Sequence, residues 1–197
     1  MSRYRRVTER KLTKKHILIV CCGQTEKIYI DILKTKFPNV EIDVILSKYS
    51  EDDYVIKEAI KNKAKYVEIW AVFDKDNSKD FDRRIWYAKS NGIKCAYSNV
   101  CIEYWFYLHF IYQTKPMSYA DLKSELTKKL SYVYDTDSRT IRNVSNDIES
   151  FTYEAIKRAK IGYEEHKAKY GENPSKMCSC TTVFELVERF RKWEKEM

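Results

Sequence analysis

The sequence predicts an α/β protein with a mostly parallel sheet flanked by helices. Short apolar, β-branched runs recur along the first half of the chain, and segments with helical spacing separate them. The composition agrees, because 16 Tyr against only 4 Gly and 3 Pro favours long regular elements over a disordered chain. A length of 197 residues allows one substantial hydrophobic core.

A strand, a glycine turn and a helix are predicted at the start of the apolar region. The run over residues 16–22 is apolar and stops at Gly23, as expected for a strand buried on both faces. Apolar residues then repeat at helical spacing over residues 24–36, and Pro38 closes the segment.

The alternation of strands and helices continues beyond this first unit. It is typical of a parallel sheet that binds ligands outside the carboxyl ends of its strands. The predicted strands cover residues 40–46, 66–73 and 93–97, and the predicted helices cover residues 52–63, 79–90 and 101–112.

The chain divides into three predicted parts. Residues 1–15 form a basic segment, residues 16–115 form the α/β core, and residues 116–197 form a helical extension packed on that core. No strand is predicted after Pro116, and no internal repeat is found. The helices predicted in the extension cover residues 119–130, 151–170 and 182–193.

The charge balance favours a polyanionic partner. The chain has 37 basic and 29 acidic residues, a net charge of +8, which indicates nucleic acid as the first candidate. Part of the excess lies in the N-terminal segment with Arg3, Arg5 and Arg6. A solvated tail and a nucleic-acid-binding arm are equally consistent with that segment.

The sequence predicts a cytoplasmic protein without a membrane span. No apolar segment reaches the length that crosses a bilayer, and the basic N-terminal segment lacks the apolar core of a secretory signal. The six cysteines lie mostly in apolar surroundings typical of buried thiols, and their spacing does not indicate a zinc site.

An acidic pair, Asp74 and Asp76, follows the third predicted strand. Two aspartates at a strand end can project toward one point, and their oxygens suit Mg²⁺ or Mn²⁺. The alternative is a loop whose side chains cap the next helix. The turn with Gly23, Thr25 and Glu26, together with the basic composition, favours the metal, because metal-assisted phosphodiester chemistry needs these components together.

Polar residues after the fourth strand are predicted to support this site. Ser98 and Asn99 lead to Glu103, which lies among aromatic residues. Glu103 is expected to form a buried hydrogen bond near Ser98 and Asn99. His109 lies in the same predicted helix and is interpreted as a packing histidine rather than a general base.

Four cations flank the acidic pair. They could hold phosphates beside the metal, and the competing interpretation is a solvated helix face. They are Lys75, Lys79, Arg83 and Arg84.

Three motifs now carry a family resemblance. Ile-Val-Cys-Cys-Gly-Gln-Thr-Glu-Lys-Ile-Tyr, Val-Phe-Asp-Lys-Asp and Tyr-Ser-Asn-Val-Cys-Ile-Glu-Tyr-Trp-Phe-Tyr-Leu-His-Phe occur in the order found in the RloB-like family, which is Toprim-related. The resemblance covers roughly residues 16–112 and, more weakly, the tail through residues 173–175. It implies a Toprim-like fold, a metal-dependent nuclease activity with Mg²⁺ or Mn²⁺, and a place in bacterial defence and abortive-infection loci beside an AAA/ABC-type ATPase.

The chain departs from the family at the first motif. The family typically has Glu before the glycine, whereas this chain has Cys22. A thiol binds Mg²⁺ poorly and is largely protonated at neutral pH. Three interpretations are open: Glu26 takes the acidic role, the site is impaired, or Cys22 is an introduced substitution.

The residues and the resemblance together predict a metal-dependent nuclease effector of an antiphage system. Asp74, Asp76 and Glu26 would hold the metal, and transfer RNA is a candidate substrate by analogy with related effectors, although no residue selects RNA over DNA. The alternatives are a catalytically impaired nucleic-acid-binding or regulatory subunit of an ATPase-coupled complex, and a protein that handles small phosphoesters. A homodimer is compatible with the sequence.

Overall fold

The centre of the protein is a five-stranded sheet. The computed structural model describes residues 16–48, 52–76 and 78–196. The strands are β1 (His16–Cys21), β2 (Glu41–Leu46), β3 (Glu68–Asp74), β4 (Lys94–Asn99) and β5 (Cys180–Thr181). Their order is β2-β1-β3-β4-β5, and the first four run parallel while β5 runs antiparallel to β4. The predicted α/β class with a mostly parallel sheet is confirmed. The basic segment 1–15, with Arg3, Arg5 and Arg6, lies outside the described residues.

Eight helices are described around the sheet. Most of the predicted elements are present with small shifts at their ends. The helices are α1 (Gln24–Lys34), α2 (Asp52–Lys61), α3 (Phe81–Ser90), α4 (Glu103–Leu108), α5 (Tyr119–Lys129), α6 (Ser138–Asp147), α7 (Thr152–Tyr170) and α8 (Val183–Lys195). Short 3-10 turns cover Lys63–Lys65, Glu149–Phe151 and Pro174–Lys176.

The sheet is buried on both faces, which explains why β1 reads as a continuous apolar run. Ile17, Ile19 and Cys21 belong to the larger apolar cluster, which also contains residues of α1, α4 and the C-terminal helices. Leu18 and Val20 belong to the smaller cluster, with residues of α2 and α3. The alternation along one strand therefore builds two cores, one on each face.

The expectation that no strand follows Pro116 is wrong. In β5, Thr181 pairs with Ser98 and Cys180 pairs with Asn99 of β4. Two residues are too few to produce a period-two pattern, so the strand depends on its tertiary partner.

Helix α6 was not predicted either. Its buried residues include only Ile141 and Val144 as apolar side chains, so its apolar stripe is narrow. The helix begins after Asp137, whose side chain accepts hydrogen bonds from the backbone N–H groups of Arg139 and Thr140.

Helix α4 is shorter than the segment 101–112 predicted from the sequence. It ends at Leu108, where Arg158 of α7 donates through Nη1 to the carbonyls of Leu108 and His109, both at 2.8 Å. A charged donor at the last carbonyls stabilises a helix C-terminus. The C-terminal elements thus contact the core closely, since α8 also lies against β4 and α6 against α1.

No helix in the described part of the chain is both long and apolar enough to cross a membrane.

Candidate functional site

The carboxyl ends of three neighbouring strands bring the candidate residues together. β3 lies between β1 and β4, and Asp74 at the end of β3 is in register with Ser98 of β4. The Gly23 turn follows β1, the loop with Asp74 and Asp76 follows β3, and the segment leading to Glu103 follows β4. This is the edge at which an open parallel sheet places its ligands.

Backbone contacts fix the loop after β3 to the loop after β4. The Oδ2 atom of Asp74 accepts a hydrogen bond from the backbone N–H of Ile102 at 3.0 Å. The N–H of Lys75 donates to the carbonyl of Ser98 at 2.8 Å, and the N–H of Asp76 donates to the carbonyl of Val100 at 3.3 Å. The Asp74 side chain therefore connects the end of β3 to the segment before α4. Asp74 is also a candidate metal ligand.

Asp76 has an unusual backbone conformation. Its φ is 41°, in the left-handed region that side-chain-bearing residues seldom adopt, although Asp tolerates it better than most. Strain of this kind is concentrated at functional sites.

Glu26 lies in the first turn of α1 and is only 5% exposed. Its carboxylate accepts hydrogen bonds from its own backbone N–H and from that of Gly23, the N-cap residue. A Cβ atom at position 23 would collide with Oε2 of Glu26. The glycine in the first motif therefore leaves room for an acid, and Thr25 lies beside that acid, partly buried.

Glu103 begins α4 and is 3% exposed. Its Oε1 atom accepts a hydrogen bond at 2.8 Å from the hydroxyl of Tyr134, a fully buried residue between α5 and α6. Burial and the adjacent Glu103 raise the pKa of Tyr134 above its ordinary value, so the phenol remains a donor. The expected buried hydrogen bond is present, and its donor comes from the C-terminal extension.

Ser98 and Asn99 are both buried and bind the C-terminal extension. The hydroxyls of Ser98 and Thr181 lie 2.9 Å apart. The Asn99 amide donates to the carbonyls of Pro174 at 3.0 Å and Ser175 at 3.3 Å. These two residues therefore connect the end of β4 to the C-terminal extension through hydrogen bonds.

The carboxyl groups of the site repel one another. Burial raises the pKa of Asp74 well above its ordinary value, and Glu26, Glu103 and Asp76 raise it further. Burial, Glu103 and Asp76 together raise the pKa of Glu26 to about 7, against the lowering effect of its backbone hydrogen bonds. Burial and Glu103 also raise the pKa of Asp76. We call Glu26, Asp74, Asp76 and Glu103 the acidic cluster.

The acidic cluster fits a hard divalent cation in donor type and in charge. Carboxylate oxygens are the ligands that Mg²⁺ and Mn²⁺ prefer, and a cation would relieve the repulsion that adds to burial in raising the three pKa values. Within residues 16–48, 52–76 and 78–196, no three Asp, Glu, His or Cys side chains converge as a formed metal site. Oxygens of Asp74, Glu26 and Glu103 are instead engaged in the hydrogen bonds described above.

Cys22 is half-buried just after β1. Its backbone N–H donates to the carbonyl of Val72 at 2.9 Å, and its side chain packs against the smaller apolar cluster. The neighbouring Cys21 is fully buried, and burial followed by the charge of Glu26 raises the pKa of its thiol. A catalytic role for Cys22 stays a prediction.

His109 has the surroundings of a packing residue. It is buried, its Nδ1 lies 2.9 Å from the carbonyl of Trp105, and its ring meets the Trp105 ring edge to face. Burial lowers the pKa of His109 to about 4, so the imidazole is neutral near pH 7.

The four predicted phosphate-binding cations differ in their surroundings. Lys79 and Arg83 are exposed, and Lys75 is partly buried. Arg84 is half-buried and already has partners within the protein. Its Nε lies 2.9 Å from the carboxylate of Asp53, and its Nη1 donates to the hydroxyl of Ser78 at 2.8 Å. Their role in nucleic-acid binding stays a prediction.

The protein has a mostly parallel α/β fold with carboxyl groups at the carboxyl ends of its strands. This agrees with the Toprim-like fold that the three motifs imply. The chain matches the family described as RloB-like protein over residues 17–190, which is most of its length. It therefore belongs to the RloB-like family. Searches of curated proteins and of solved structures found no match.

Substitution of Glu26 by Gln should remove a pH dependence of stability. The pKa of Glu26 is raised from 4.5 to about 7 in the folded chain, so the folded state retains a proton that the unfolded chain releases. This contribution to stability is complete below about pH 4.5 and is lost as the pH rises through about 7. In urea unfolding with EDTA, we expect the wild type to lose on the order of 2 kcal/mol more than Glu26→Gln between about pH 5 and pH 8.

Glu154→Gln is the matched control, because Glu154 also lies in the first turn of a helix but is exposed. Its stability should follow the pH dependence of the wild type. Parallel curves for Glu26→Gln and the wild type would contradict the prediction.

Substitution of Tyr134 by Phe should destabilise the protein by about 1 to 3 kcal/mol, because it removes the Tyr134 hydroxyl donor from the buried Glu103 carboxylate while the ring still fills the core. The control is Tyr132→Phe, which removes a hydrogen bond of 2.7 Å to the exposed Asp147 and should cost much less. Urea denaturation measures both. Equal losses would show that Glu103 does not depend on Tyr134.

Proposed function

We propose that the protein is a metal-dependent nuclease that hydrolyses phosphodiester bonds of nucleic acid as the effector of an antiphage system. One observation carries the proposal: the acidic cluster lies at the carboxyl ends of β1, β3 and β4, and burial together with mutual repulsion raises the pKa values of Asp74, Glu26 and Asp76. Perturbed carboxyl groups of this kind are typical of catalytic sites.

Asp74, Asp76 and Glu26 are the proposed ligands of Mg²⁺ or Mn²⁺. When bound, such an ion polarises a phosphoryl oxygen and activates water. Glu103, held by Tyr134, maintains the negative potential next to Asp74. Asp74 also keeps the loop in position through its hydrogen bond to Ile102.

Cations next to the cluster would bind the substrate backbone. Lys75 lies between the two aspartates, and Lys79 and Arg83 are exposed on the same loop and the first turn of α3. Phosphate contacts of this kind orient a nucleic acid without reading its sequence. Arg84 would act indirectly, since its contacts with Asp53 and Ser78 hold the loop.

Glu26 is the residue that we propose in place of the family Glu. It is buried in the acidic cluster, and its charge raises the pKa of Asp74. Cys22, in contrast, packs against apolar side chains. This contrast supports the first of the three interpretations of the Cys22 departure.

The antiphage role, transfer RNA as a candidate substrate and an AAA/ABC-type ATPase partner rest on the family resemblance alone. They are the biological setting that we propose for the activity.

A second candidate is a non-catalytic subunit that binds nucleic acid or docks on the ATPase. It is favoured by the present arrangement of the acidic cluster, in which carboxylate oxygens of Asp74, Glu26 and Glu103 are held in local hydrogen bonds.

A nuclease assay separates the two candidates. Labelled RNA and DNA are incubated with the wild type, Asp74→Asn and Cys22→Glu in Mg²⁺ or Mn²⁺. We expect cleavage by the wild type and a loss of at least about 100-fold in Asp74→Asn, because an amide cannot replace the charge of the carboxylate at a cation. The amide oxygen can still accept the hydrogen bond from Ile102, so the fold should be retained.

Asp147→Asn, on the exposed surface of α6, is the control and should cleave like the wild type. Cleavage by Cys22→Glu alone would identify this chain as an impaired nuclease. Absence of cleavage in every variant, with nucleic-acid binding retained, would favour the non-catalytic subunit.

A further inference from the structure

A groove of about 290 Å³ lies between α2 and α3, on the face of the sheet that carries the smaller apolar cluster. Its walls combine exposed aromatic rings with cations, an arrangement that neither the acidic cluster nor the apolar core explains. The lining residues are Asp53, Lys57, Arg83, Arg84, Trp86 and Tyr87.

We infer that this groove binds an unpaired nucleotide of a single-stranded nucleic acid, with the base stacked on Trp86 and its phosphate held by Arg83 and Lys57. The inference rests on the proposed function, because it names the form of substrate that the acidic cluster would receive. The binding itself can be measured without cleavage.

The exposure of Trp86 is the first observation that indicates a ligand. It is 68% exposed, whereas Trp70, Trp105 and Trp193 are each at most 3% exposed. Helix α3 buries Phe81, Ile85 and Ala88 on the opposite face, so the indole does not contribute to the core. An indole left in water next to a groove is available for stacking on a ligand.

Helical spacing places the other groove residues beside Trp86. Arg83 precedes it by one turn and Tyr87 follows it directly, 45% exposed. From α2, Lys57 lies over the ring of Tyr54, with Nζ 5.1 Å from the ring centroid. Cations therefore line both walls of the groove, Lys57 on α2 and Arg83 on α3, and the aromatic rings of the groove belong to α3.

The charge of the groove favours an anion. The carboxylate of Asp53 is paired with Arg84 at 2.9 Å, which leaves Lys57 and Arg83 as positive charges on the two walls. Arg83 reaches Asp80 only at 3.5 Å, and its side chain is 72% exposed. It can therefore turn toward a phosphate at little cost.

The groove is linked to the loop of the acidic cluster. Nη1 of Arg84 donates to the hydroxyl of Ser78, and the backbone N–H of Ser78 donates to the carbonyl of Lys75, both at 2.8 Å. Lys75 lies between Asp74 and Asp76 in the chain. A strand bound in the groove is thus next to the proposed catalytic loop.

Unpaired nucleic acid is the ligand class that matches this chemistry. A base exposes its face for stacking on an indole only when it is unpaired, and its phosphate supplies the charge that Arg83 and Lys57 would bind. Stacking is tolerant of sequence and of sugar type, so RNA and DNA share this recognition.

Fluorescence anisotropy in EDTA tests the inference, because cleavage cannot proceed without a divalent ion. The probes are a labelled single-stranded RNA, the single-stranded DNA of the same sequence, and the duplex of each. We expect Trp86→Ala to weaken single-strand binding about tenfold or more and Trp86→Phe to retain most of it. Duplex binding should change little.

Tyr153→Ala is the matched control, because Tyr153 is an aromatic residue of α7 with the same 68% exposure as Trp86. Single-strand binding by this variant should equal that of the wild type. In addition, intrinsic tryptophan fluorescence should be quenched by single strands in the wild type, and the quenching should be absent in Trp86→Phe, since the other three tryptophans are buried.

Equal affinity of Trp86→Ala and the wild type for single strands would overturn the inference, whether or not the protein cleaves. Failure of the wild type to bind any probe, or an equal loss of single-strand and duplex binding in Trp86→Ala, would overturn it as well. Trp86-dependent binding by a protein that does not cleave in Mg²⁺ or Mn²⁺ would support the groove and count against the nuclease proposal alone.

Discussion

The hydrogen bond from the Ile102 N–H to the Asp74 carboxylate determines the arrangement of the candidate site. It joins the end of β3 to the start of α4, and the hydrogen bond from the Lys75 N–H to the Ser98 carbonyl joins the loop after β3 to the end of β4. Because of these contacts, Asp74 lies close to Glu103, which adds to the effects of burial and of Glu26 in raising the pKa of Asp74. Like charges gathered in this way are unfavourable without a cation, and cooperative folding of the surrounding structure has to offset that cost.

The C-terminal extension completes the polar edge of the sheet and is more than a helical cover. Tyr134 satisfies Glu103, and Thr181 pairs with Ser98 both through the backbone and through the hydroxyls. Asn99 is held by the carbonyls that surround Pro174. A buried polar edge of this kind is stable only when each group finds a partner, so the core and the extension depend on each other.

The sequence was sufficient for the elements whose burial leaves a local pattern. β1 and β3 are apolar throughout because both faces of the sheet are covered, and the acids that follow them could be placed at one edge by topology alone. β5 and the partner of Glu103 could not be predicted in this way. Both depend on contacts between residues distant in the chain, and neither a two-residue strand nor a lone Tyr134 leaves a periodic signal.

Glu26 shows why a change of motif need not remove an acid from the site. Its carboxylate turns back over Gly23 and accepts backbone N–H groups at the start of α1, where the helix dipole also favours negative charge. These effects lower its pKa, but burial and the neighbouring carboxylates outweigh them and leave the pKa at about 7. Near neutral pH the protonated and charged forms are therefore close in free energy. A cation bound by Asp74 and Asp76 would favour the charged form, so that binding of the ion would itself supply the third carboxylate.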